Sequence, residues 1–81
     1  MQLPTARITP FGRPTDVEAA SMLATAIRLL NDPDSDGNDI EAARRALRRL
    51  YLDGFTGNQG VLLLAGLTSG VVQNKLNEIG E

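Results

Sequence analysis

The sequence predicts an all-α fold, a small bundle of three to four short helices behind an extended N-terminal arm over residues 1–14. Two observations carry this expectation. A side-chain oxygen stands three residues ahead of an acid or amide at Thr15 with Glu18, Asn38 with Glu41 and Thr56 with Gln59, the pairing that lets two side chains satisfy first-turn N–H groups. Each pair is followed by apolar residues at helical spacing. Prolines, which lack a backbone donor and break helices, gather instead at Pro4, Pro10 and Pro14. At 81 residues there is room for one domain, over residues 15–81.

In order, the arm offers Ala6, Ile8 and Phe11 to pack along the domain. The first helix is expected from about Asp16 to Leu30, with Val17, Ala20, Leu23, Ala24, Ile27 and Leu30 on one broad face. No charge stands between Glu18 and Arg28, and Met22, Ala26 and Leu29 make the opposite side apolar too. A helix apolar nearly all round is buried on two sides, and in so small a chain the second side suits a partner. The second helix, from about Asp39 to Leu52, has a stripe of Ile40, Ala43, Leu47, Leu50 and Tyr51, with Arg44, Arg45, Arg48 and Arg49 facing out. Asp53 and Gly54 end it, because glycine accepts the left-handed conformation found just past helix ends.

The last segment, residues 57–80, has two readings. One continuous helix lines up Val61, Ala65, Thr68, Val72, Leu76 and Ile79 at the cost of interior glycines, each about 1 kcal/mol worse than alanine. Two helices broken at Gly66, the second capped by Thr68, is the favoured reading, since Gly then Thr is stop-then-start chemistry. Small residues at Gly57, Gly60, Ala65, Gly66, Ser69 and Gly70 would let helices approach closely, within the chain or between copies.

Composition removes several function classes. Without cysteine or histidine there is no thiol nucleophile, imidazole base or zinc ligand set, so the expectation is a protein that is not an enzyme and holds no cofactor or metal. A net charge of −2 gives no general attraction to nucleic acid or an anionic membrane. Local charge is blocked: Asp32, Asp34, Asp36, Asp39 and Glu41 precede the four arginines of residues 44–49. The N-terminus lacks a secretory pattern, and the apolar run Val61 to Leu67 is far shorter than the ~20 residues of a membrane span, so a cytoplasmic protein is expected. Asp32, Asp34, Asp36 and Gly37 match the opening of a calcium loop, but Ala43 stands where the bidentate acid belongs, and a turn-forming loop explains the same residues.

The leading functional expectation is a non-catalytic protein-interaction module of bacterial or phage type, an adaptor, inhibitor or assembly subunit. Its partner-binding residues are Arg44, Arg45, Arg48 and Arg49, suited to carboxylates or phosphates, with Met22 and Leu29 on the first helix. A homodimer is a second expected partnership. The alternative rests on Gly66-Leu67-Thr68 followed by Val72 and Leu76, which over residues 57–80 resembles the turn and second helix of the helix-turn-helix DNA-binding motif of small bacterial and phage regulators. That resemblance implies Gln73, Asn74 and Asn77 at base edges and Thr68, Ser69 and Lys75 at phosphates, with the four arginines adding backbone contacts. The sequence departs from the motif at Leu62, where a small residue is usual, and has one base, Lys75, in the second helix.

Overall fold

The computed structural model describes residues 14–80, which form four α-helices and one 3-10 turn; the expected arm, with Ala6, Ile8 and Phe11, lies outside them apart from Pro14. Helix α1 spans Asp16–Asn31, and α2 spans Gly37–Leu52. The turn Phe55–Gly57 leads into α3, Gln59–Ala65, and α4, Ser69–Glu78. Among the described residues there is no strand element.

Each helix begins where a short polar side chain takes an orphan donor. Thr15 Oγ1 accepts from the Glu18 N–H at 3.2 Å, as the sequence predicts. Helix α2 begins two residues earlier than expected: Asp36, not Asn38, is the cap, its Oδ1 accepting from the Asp39 N–H at 2.8 Å. An aspartate there also places negative charge at the positive end of the helix. Thr56 is not the cap of α3 either, because the chain first makes the 3-10 turn that buries Phe55. Asn58 takes the role instead and accepts from the Val61 N–H at 3.1 Å.

The final segment is broken, at Gly66. Its φ of 72° lies in the left-handed region, and the Leu67 N–H reaches back to the Leu62 carbonyl at 3.0 Å, closing α3. Thr68 then opens α4, its Oγ1 accepting from the Val71 N–H at 3.3 Å.

Helices α1 and α2 form an antiparallel hairpin, and α3 packs on α1. Leu23, Leu47, Leu50, Val61, Leu62, Val72 and Leu76 are fully buried where the four helices meet. Two expected core positions face out: Val17 is 56% exposed and Tyr51 41%. Ala26, expected on the outer side of α1, is buried, because α2 covers that side. Among the described residues no polar or charged side chain is buried. Every charge on these helices is therefore displayed at the surface or rim.

Candidate functional site

Three regions of the outer surface stand out, two between pairs of helices and one on a single helix. The first is an apolar groove between α1 and α2, of about 300 Å³, walled by Ser21, Met22, Thr25, Ala26 and Leu29 on one side and Ala42, Ala43 and Ala46 on the other. The alanines keep the α2 wall low, so the floor is open. Met22 is 39% exposed at its edge and Leu29 is half-buried, packed against the core. On α2, Arg45 and Arg49 stand at i+3 and i+7 from Ala42 and share its stripe; on α1, Arg28 follows Ser21 and Thr25 in the same way. By the same spacing Glu18 and Asp39 stand at the two ends of the groove.

The second region lies between α2 and α4 and consists of two separate hollows. The first turn of α4 lies beside Tyr51 and Gly54, and its end, Ile79, lies beside Arg44, Arg45 and Arg48, so the two helices run antiparallel. The hollow at the Tyr51 end holds about 530 Å³ and also touches Thr56, Ser69 and Gln73; the one at the arginine end, beside Glu41, holds about 130 Å³. Arg44 pairs loosely with Glu41 at 3.8 Å, and Arg49 Nε donates to Asp53 Oδ2 at 3.1 Å. Arg45 has no ion pair of this kind among the described residues. Arg44, Arg45 and Arg48 thus border the end of α4, while Arg49 is held by Asp53 at the end of α2.

Helix α4 carries the amides that the helix-turn-helix resemblance would set at base edges. Ser69, Gln73, Asn74 and Asn77 are exposed, and Thr68 is exposed at the cap. Gln73 Nε2 donates to Asn77 Oδ1 at 3.1 Å, which occupies part of the amide pair internally. Lys75 stands differently from what that resemblance implies: only 14% of its side chain is exposed, and its Nζ is 3.0 Å from Glu78 Oε1. The one basic side chain of α4 is laid along the protein and tied to an acid.

The third region is the outer face of α3. Leu63 is 82% exposed and Leu64 60%, the outer face of a helix whose inner face is Val61 and Leu62. The signal was present in four consecutive apolar residues: at 100° per residue, a helix cannot turn all of them inward.

The acidic loop is engaged with its own backbone. Asp32 Oδ1 accepts from the Asp34 N–H at 2.9 Å, Ser35 Oγ donates to the Leu29 carbonyl at 2.8 Å, and Asp36 caps α2. Among the described residues no group of three or more acids could hold a metal ion, and no helix is long and apolar enough to cross a membrane. No protein-family model, curated protein or solved structure matches the chain.

Proposed function

We propose that this chain is a non-catalytic protein-interaction module whose α1–α2 groove receives an amphipathic helix of a partner protein. The observation that carries the proposal is the groove itself, an apolar floor of Met22, Ala26, Leu29, Ala42 and Ala46, with Arg28, Arg45 and Arg49 placed on the flanking stripes by helical spacing. Low alanine walls suit a helix, because small residues let backbones approach to the 8–10 Å of ordinary helix packing. Charge sets the partner's chemistry: carboxylates on the side of the docked helix nearest Arg45 and Arg49, and aliphatic side chains at i, i+4 and i+7 toward the floor. Removal of apolar surface from water supplies the affinity, while the arginines set register.

Selection of helical peptides from a random library tests this. Enrichment of Asp and Glu beside a leucine stripe is expected. The double substitution Arg45→Glu, Arg49→Glu should then weaken the selected peptides by at least about tenfold, or 1.4 kcal/mol. Peptides without acidic enrichment, or indifferent to that substitution, would sink the proposal.

The second reading is a helix-turn-helix DNA binder, favoured by the Gly66 turn, the Thr68 cap and the exposed amides Gln73, Asn74 and Asn77. It lacks a cation on α4 that is open to phosphate, since Lys75 is covered and paired. Phosphate neutralisation dominates non-specific DNA affinity, so this reading depends wholly on Arg44, Arg45 and Arg48 on α2. Fluorescence anisotropy with duplex DNA at about 50 and 200 mM salt separates the two, because electrostatic binding must fall steeply between them.

A further inference from the structure

We propose that the seam between α2 and α4 binds a nucleoside monophosphate, its base in the Tyr51 hollow and its phosphate in the arginine hollow. The site is separate from the α1–α2 groove and does not rest on it. On α2, Arg44, Arg48 and Tyr51 stand at i, i+4 and i+7, on one stripe of the helix, and all three line hollows that α4 closes. On α4, Gln73 and Leu76 border the first hollow, and Ile79, about one turn beyond Leu76, borders the second. The two hollows therefore follow one another along a single seam. The helical rise puts Tyr51 about 4.5 Å along the axis from Arg48 and about 10.5 Å from Arg44, an interval that a pentose spans.

Each hollow has the chemistry of one half of that ligand. In the first, the Tyr51 ring is 41% exposed beside an apolar floor of buried Val72 and Leu76, which suits the flat face of a base. The hydroxyls of Thr56 and Ser69 and the Gln73 amide border it as donors and acceptors for a base edge or a ribose. Gln73 gives one N–H to Asn77, and its amide has a carbonyl oxygen and a second N–H besides. In the second hollow three guanidinium groups less the one Glu41 carboxylate leave two positive charges, set against roughly −1.5 to −2 on a phosphate monoester at neutral pH. Glu41 holds Arg44 only loosely, at 3.8 Å, so a phosphate oxygen can take its place. Of the nearby acids, Glu78 is met by Lys75 at 3.0 Å and Asp53 by Arg49 at 3.1 Å. The same charges select a free nucleotide over a strand. A strand carries a phosphate on either side of each base, and from Asp53 to Asn74, around the Tyr51 hollow, there is no basic residue to meet the second one.

Titration of the isotope-labelled full chain with the four ribonucleoside 5′-monophosphates, followed by amide NMR shifts, tests the site. At least one should bind with a dissociation constant between about 10 µM and 1 mM and move the amides of Arg48, Tyr51 and Gln73. The matching nucleoside and inorganic phosphate, each offering half of the ligand, should bind at least about tenfold more weakly. Arg44→Glu should weaken the nucleotide by at least about tenfold and Tyr51→Ala by at least about fivefold, whereas Tyr51→Phe, which keeps the ring, should stay within about twofold. Arg44 and Tyr51 are exposed and do not hold the core, and unchanged far-UV circular dichroism checks that. No nucleotide bound at about 5 mM, or inorganic phosphate bound as tightly as the nucleotide, would overturn the proposal. So would wild-type affinity in both Arg44→Glu and Tyr51→Ala. A single-stranded decanucleotide bound more than about a hundredfold tighter than the monophosphates would move the site to nucleic acid and overturn it as well.

Discussion

Helices α2 and α4 present the same outline with opposite electrostatics. Each buries one aliphatic face, Ala43, Leu47 and Leu50 on α2 and Val72 and Leu76 on α4, and each turns a polar face to water. On α2 that face is four arginines; on α4 it is the neutral amides Gln73, Asn74 and Asn77, with one lysine folded against Glu78. Exposed polarity alone does not make an electrostatic anchor. Amides can read base edges or bridge a partner's polar rim, but only open cations release counterions from phosphate or steer an acidic partner at long range. On the proposed reading the charged docking surface belongs to the α1–α2 hairpin, with α4 in a lesser role.

The comparison can be broken first through stability. Leu47→Ala removes a fully buried side chain from the hairpin and should cost about 3–5 kcal/mol, enough to unfold much of so small a domain; Leu76→Ala on α4 should cost nearer 2–3. Urea titration of both checks the order, and a costlier Leu76 would mean that α4 holds the core together. Gly66→Ala puts a Cβ where φ is 72° and should cost about 1–2 kcal/mol, read as a lower Tm. Thr68→Ala and Thr15→Ala each remove one cap and should cost about 1 kcal/mol, comparable at the two helices. The smallest effect belongs to Lys75→Gln, within about 0.5–1 kcal/mol in stability and without change in affinity for duplex DNA. A marked loss of DNA binding in that variant would show that Lys75 leaves Glu78 to meet phosphate.

Much of the fold was legible because helix ends are local chemistry. Thr15, the Asp53–Gly54 stop, Gly66 and Thr68 act through atoms within a few residues of themselves, and all four fall where the sequence places them. The misplaced starts at Asn38 and Thr56 have a common reason. Where several Asp, Asn or Thr residues stand close together, more than one can cap, and the choice is made by the preceding turn, which pins Asp36 in one case and Asn58 in the other. Tyr51 and Val17 lie on the edges of their stripes, and whether an edge is covered depends on the angle at which helices cross, which no local pattern records. The groove was legible only in halves. The sequence shows Met22 and Leu29 on one helix and arginines on another, but the alanine wall that joins them exists only once α1 and α2 pair.

The most direct test sets the two faces against each other in one experiment. Backbone amide shifts are recorded by NMR while the isotope-labelled protein is titrated at about 50 mM salt, first with a selected acidic helical peptide and then with random duplex DNA. The peptide should move the amides of Met22, Thr25, Ala42 and Ala46 and leave those of Gln73 and Asn74 in place, with no salt-sensitive response to DNA. Shifts centred on Gln73 and Asn74 that appear with DNA and vanish at about 200 mM salt, beside a silent groove, would contradict the assignment of the docking surface to the hairpin.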